Sequence, residues 1–105
     1  MNADNLHIPQ DRLADFCTRW KIIELALFGS VLRDDFGPDS DVDILVTFEP
    51  DAPWSLWDIV RVKHEFEEMV GRKVDIIERP ALEKHHNPYL KHAILTEAQT
   101  IYTPA

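Results

Sequence analysis

Apolar residues recur at helical spacing between Gln10 and Trp20, where Leu13, Phe16, Cys17 and Trp20 form one stripe, the mark of an amphipathic helix. Pro9 suits the first turn of that helix, where a backbone N–H has no partner to lose. Ile22 to Phe28 is instead a short run rich in apolar and β-branched residues, read as a strand that Gly29 breaks. Val31 to Asp35 is expected to begin a short helix. After the turn cluster Gly37-Pro38-Asp39-Ser40, Val42, Ile44, Val46 and Phe48 alternate with Asp41, Asp43, Leu45 and Thr47, the period of a second strand. Glu49 to Pro53 punctuates the chain. Leu56, Ile59, Val60, Phe66, Met69 and Val70 then return to helical spacing until Gly71 supplies a C-terminal stop, with Trp54 and Trp57 read as packed residues at the start of this longest helix. Lys73 to Ile77 predicts a third strand. Asn87 as N-cap and Pro88 as first residue open a last helix through Ala98, and Thr100 to Tyr102 adds a short strand.

Strands interleaved with helices, without repeats or low-complexity tracts, predict an α/β (α+β) layered fold. A chain of 105 residues that is 45% hydrophobic suits one domain over residues 1–105. A domain of this size cannot enclose a large substrate, so part of any acceptor surface is expected from another protein. The formal charge of −8 argues against direct binding of long nucleic acid, which needs basic patches to neutralise phosphates. A mononucleotide with its metal is compatible with it. The lone Cys17 lies on the apolar stripe and is read as core; with no second cysteine, no apolar leader and no membrane-length run, a cytoplasmic location without membrane association is expected.

The candidate chemistry lies between Leu27 and Val46. Gly29 lets backbone approach a phosphate closely, the amides beyond it can serve as anion donors, and Ser30 adds a hydroxyl. Arg33, one helical turn on, can return a guanidinium to the same face and fork onto a phosphate oxygen. Asp41 and Asp43 project from one strand face roughly 6.5 to 7 Å apart by the strand rise. Two carboxylates aimed into one site repel unless a divalent ion offsets them, and Mg²⁺ shares oxygen ligands readily with phosphates. Asp75, set in the apolar stretch Val74 to Ile77, is a poor core residue and is assigned as the third carboxylate, a base or bridging metal ligand.

Rival motifs fail. Asp39 to Asp43 opens like a calcium loop, but its sixth position is Ile44 and its twelfth Pro50, where glycine and glutamate are needed. The histidines His7, His64, His85, His86 and His92 follow no zinc spacing and are read as solvated surface. Trp54, if exposed, could stack on adenine or anchor a partner; Tyr89, Leu90 and Ile94 on the last helix are read as core in preference to a partner face.

Gly29-Ser30, Arg33, Ser40-Asp41-Val42-Asp43 and the later Asp75 together resemble the minimal nucleotidyltransferases (MNT) of the DNA polymerase β superfamily, as do Gly71 to Asp75 and the closing helix from Asn87 to Ala98. The resemblance implies the nucleotidyltransferase fold, a small mixed sheet flanked by helices. It implies catalytic Asp41, Asp43 and Asp75, all on Mg²⁺, with Gly29, Ser30, Arg33 and Ser40 on the nucleotide. Many such proteins are antitoxins paired with HEPN-domain ribonuclease toxins, transferring AMP from ATP to a toxin tyrosine. The expected chain is thus a type VII-like antitoxin with two Mg²⁺ ions, ATP as substrate and a HEPN toxin in a hetero-oligomer. One departure is Asp34, where glycine often follows the motif arginine; with Asp35 it is read as a helix-capping acid. Transfer to a small hydroxylated molecule, and neutralisation by binding alone, are the alternatives.

Overall fold

The computed structural model describes residues 6–33, 37, 40–84 and 86–104. Helix α1 (Gln10–Arg19) and strand β1 (Ile22–Phe28) lead into a single 3-10 turn, Gly29–Leu32. Strand β2 (Val42–Phe48), helix α2 (Leu56–Val70) and strand β3 (Val74–Glu78) follow, then α3 (Arg79–Glu83), α4 (Pro88–Glu97) and β4 (Gln99–Tyr102). The sheet has the order β3-β2-β1-β4. β1 runs antiparallel to both β2 and β4, while β2 and β3 are parallel, as a strand pair joined through a crossover helix can be. This is the expected mixed sheet flanked by helices.

Side-chain alternation divides the core into two layers. Leu25, Leu27, Val42, Ile44, Val46 and Val74 face Leu13, Phe16 and Cys17 of α1 and Val62 and Phe66 of α2. Ala26, Phe28 and Leu45 face the other way, against Leu82 of α3 and Ile94 of α4. Ile22 joins the first layer although strict alternation from Leu25 would turn it away. The register shift between Ile22 and Glu24 restores it, as a bulge does by inserting one residue. Phe16 meets Phe66 with ring centroids 5.5 Å apart, locking α1 to α2 beneath the sheet.

Several elements differ from the sequence expectation. The short helix expected from Val31 is a 3-10 turn beginning at Gly29, and Arg33 beyond it is extended at φ −107° and ψ 157°; the expected end of that helix at Asp34 and Asp35, and Pro38, Asp39 and His85, lie outside the described residues. Pro9 is the N-cap of α1 and not its first helical residue. Trp54 precedes the α2 N-cap Ser55. Its indole donates to the Trp20 carbonyl at 2.7 Å and its ring meets that of Trp20 edge-on at 5.1 Å, so it is a packing residue and not an adenine platform. Trp57 stands 78% exposed, and Tyr89 and Leu90 are exposed while Ile94 is buried. The packing expectation therefore fails for the first three. α3 stands between Ile77 and Asn87, where the sequence predicts no element, because five residues are too few for a periodic signal. No helix of the described residues is long and apolar enough to cross a membrane.

Candidate active site

Strand directions bring the chemistry to one end of the sheet. Phe28, the last residue of β1, pairs with Asp43 near the start of β2, and Asp43 pairs with Asp75 near the start of β3. Paired residues of adjacent strands share a face at roughly 4.8 Å spacing. Asp43 and Asp75 thus stand side by side on the face that carries α3 and α4. Asp41, two residues before Asp43, continues the same row. Asp41 and Asp75 are exposed and Asp43 is half-buried, so the acids form an open shelf rather than a closed pocket.

Gly29 is required twice over. Its φ of +79° is the left-handed conformation that side chains resist, and a Cβ there would overlap Asp43 Oδ2 and lie 3.3 Å from its Cγ. The turn therefore lays bare backbone against the carboxylate. Ser30 follows on the 3-10 turn, its hydroxyl donating to the Asp41 carbonyl at 3.3 Å. Ser40 Oγ accepts the Gly37 N–H at 3.1 Å, and Ser40 N–H donates back to the Gly37 carbonyl at 3.1 Å. Ser40 thereby closes the turn that delivers Asp41.

The crowding of carboxylates is felt at Asp43, whose pKa is raised by burial first, then by Asp75 and Asp41, against the lowering effect of Arg33. Arg33 is therefore within electrostatic reach of the shelf even though it sits outside the 3-10 turn. Its Nη2 lies 3.9 Å from Glu97 Oε1 at the C-terminal end of α4. That oxygen is buried and makes no hydrogen bond among the described residues. Sequence reasoning passed over Glu97; the available signal was a carboxylate in the last turn of a helix, where the dipole disfavours it unless a cation answers. It also passed over Arg72, whose guanidinium reaches the turn before Asp41.

The donor set suits a hard divalent cation. Three carboxylates share a face, and mutual repulsion at Asp43 is the condition such an ion relieves. Among the described residues no three side chains converge into a ready-made metal cage. An ion held here would draw its other ligands from solvent or from a phosphate, as Mg²⁺ commonly does.

The match to known proteins decides the family. Residues 12–101 fit the model of the nucleotidyltransferase domain family, spanning both acid-bearing strands and the Gly29-Ser30 turn. The chain belongs to that family. This nucleotidyltransferase is 41% identical over 73 residues, 70% of its length and 72% of the relative's, to a Methanocaldococcus jannaschii protein named "putative protein adenylyltransferase". It is 38% identical over 64 residues, 61% of its length and 63% of the relative's, to the protein adenylyltransferase MntA of Thermococcus cleftensis. A solved structure described as a "putative minimal nucleotidyltransferase" superposes with a TM-score of 0.66 at 32% identity, covering 88% of each chain. A tri-AMPylated Shewanella oneidensis HEPN toxin in complex with MNT antitoxin shares the fold at a TM-score of 0.61 and 15% identity, over 99% of this chain and 74% of that one.

Proposed function

We propose that this nucleotidyltransferase is a Mg²⁺-dependent protein adenylyltransferase that moves AMP from ATP to a tyrosine of a HEPN-domain toxin, and so acts as its antitoxin. The observation that carries this reading is the pairing of Asp43 with Asp75 on parallel strands, with glycine backbone laid against Asp43. Similarity to named adenylyltransferases supports the nucleotide and the protein acceptor. The open shelf supports it too, because exposed acids leave room for a side chain presented by another macromolecule.

Asp41, Asp43 and Asp75 would hold the ions, in a two-ion arrangement with ATP. Bound there, divalent cations would offset triphosphate charge and polarise the α-phosphoryl group. Gly29 gives the triphosphate close access to backbone. Ser30 and Ser40 set the walls of the nucleotide site, and Arg33, steadied by Glu97, offers its guanidinium to a phosphate oxygen. The tyrosine oxygen attacks the α-phosphorus in line, the bond to the β-phosphate oxygen breaks, and pyrophosphate departs. Asp75 takes the tyrosine proton. Positioning and charge complementarity do the work, so the chain needs no nucleophile of its own.

The test is transfer from α-labelled ATP and Mg²⁺ to the protein encoded beside this one, with intact mass of both chains. AMP-sized mass gains on the partner, absent with Asp41→Asn/Asp43→Asn, are the expected result. A tight complex without transfer would overturn the catalytic reading and leave neutralisation by binding.

A further inference from the structure

The turn that delivers Asp41 is held from β3. Arg72 Nη1 donates to the Gly37 carbonyl, and the same nitrogen lies 3.5 Å from the Ser40 carbonyl. Arg72 stands three residues before Asp75 and is half-buried. Next to it, Val42 N–H donates to the Lys73 carbonyl at 2.8 Å, and Val74 N–H donates to Glu67 Oε2 at 2.9 Å. The start of β3 is thus anchored to α2 on one side and to the start of β2 on the other. Arg72 extends that anchorage past the last strand pair onto the turn itself.

Asp41 needs such support more than its fellow acids. Asp43 and Asp75 are fixed by the ladder of β2 and β3, whereas Asp41 precedes the strand and its side chain is exposed. Its backbone is fastened at two points, the Ser30 hydroxyl on its own carbonyl and Arg72 at the carbonyl of Ser40 just before it. A cationic donor shared by two carbonyls is stronger than a neutral one and sets their separation. Lysine could bring one ammonium to the same carbonyls, but on a flexible stem without the rigid guanidinium plane that holds Nη1 between them.

We propose that Arg72 is a positioning residue for the metal and nucleotide site, clamping the carbonyls of Gly37 and Ser40 so that Asp41 is presented in the same row as Asp43 and Asp75. The contacts of the clamp are to backbone carbonyls, so its effect on the site comes through the placement of Asp41. It rests on the metal and nucleotide reading of the shelf, because only a site that gathers a ligand from all three acids requires Asp41 to be held in register. Groups that orient metal ligands are worth about 10- to 100-fold in affinity.

The test compares wild type with Arg72→Ala, Arg72→Lys and Arg72→Gln. Mn²⁺ binding and Mn²⁺-dependent binding of a non-hydrolysable ATP analogue are measured by calorimetry, with thermal unfolding and amide hydrogen exchange alongside. Arg72→Ala should weaken analogue binding by at least about tenfold, speed exchange at Ser40 and leave exchange in β1 unchanged. Arg72→Lys should recover part of the affinity. Analogue binding within twofold of wild type in Arg72→Ala, or equal losses in all three variants that track only the fall in melting temperature, would overturn the proposal. Should Arg72→Ala not fold, Arg72→Gln against Arg72→Lys decides it: the lysine variant must bind the tighter. Failure of the wild type itself to bind Mn²⁺ and analogue would overturn the nucleotide reading, and the role of Arg72 with it.

Discussion

Two glycines share a left-handed conformation and differ in everything else. Gly29, at φ +79°, faces Asp43, whereas Gly71, at φ +72°, would meet nothing with an added Cβ. Gly71→Ala should therefore cost about 1 kcal/mol from backbone strain alone and leave transfer intact. Gly29→Ala carries the same strain plus a clash with the carboxylate, so its transfer activity should vanish while circular dichroism still reports a folded chain; full activity in this variant would remove Asp43 from the mechanism. Cys17 is fully buried, which pushes its thiol up from an ordinary 9.0 to about 12. A raised folded-state value means stability is complete below pH 9 and declines as pH rises toward 12. Urea unfolding of wild type and Cys17→Ala from pH 8 to 11 should show a steeper alkaline loss in wild type, and native protein should resist thiol reagents until unfolded.

Helices α1 and α2, neighbours on one face of the sheet, are joined by charge as well as by Phe16 and Phe66. Arg19 Nη1 donates to Glu65 Oε1 at 3.2 Å, its Nη2 meets Glu65 Oε2, and its Nε donates to Asp15 Oδ2 at 2.9 Å. Trp20 adds an indole donor to Glu65 Oε1 at 3.3 Å. The Arg19 hydrogen bond is the main reason the Glu65 carboxyl lies below its ordinary pKa of 4.5. A lowered value means the link stabilises fully above pH 4.5 and fades as pH falls through the folded pKa. Half the Arg19 side chain is exposed, so Glu65→Gln should cost under about 1 kcal/mol at pH 7. The difference in urea midpoint between variant and wild type should shrink as pH falls below 4.5; a constant difference would assign the loss to packing. The C-terminal end of α2 is legible in the sequence because Gly71 ends the helix in the left-handed region; the capping box at its start, where Asp58 Oδ2 accepts the Ser55 N–H at 3.0 Å, is a local signal that the sequence reading passed over. The 3-10 turn over Gly29–Leu32 is not legible, because four residues are too few for a periodic signal.

At the scale of the molecule, the formal charge of −8 and the acid shelf oppose polyanions. The protein should leave the mobility of duplex DNA and structured RNA unchanged at physiological salt; a retained complex would call for a basic surface that the composition does not provide. The period of apolar residues is sufficient to place β1 at its observed bounds, Ile22–Phe28, and β2 and β3 within one residue of theirs, Asp41 lying just outside β2, since strand and helix periods are local properties of the chain. Residue type and order likewise single out Gly29, Asp41, Asp43 and Asp75 as candidates, and the structure brings Gly29, Asp43 and Asp75 to one end of the sheet. Strand order was beyond their reach. That Asp75, more than thirty residues from Asp43, stands directly beside it depends on β3 pairing parallel with β2. The same pairing brings Arg72 to the Gly37 and Ser40 carbonyls, and the return of α4 across the sheet brings Glu97 to Arg33. Side-chain chemistry and periodicity are written residue by residue, whereas these partnerships arise only when burying two apolar layers forces distant segments into one register.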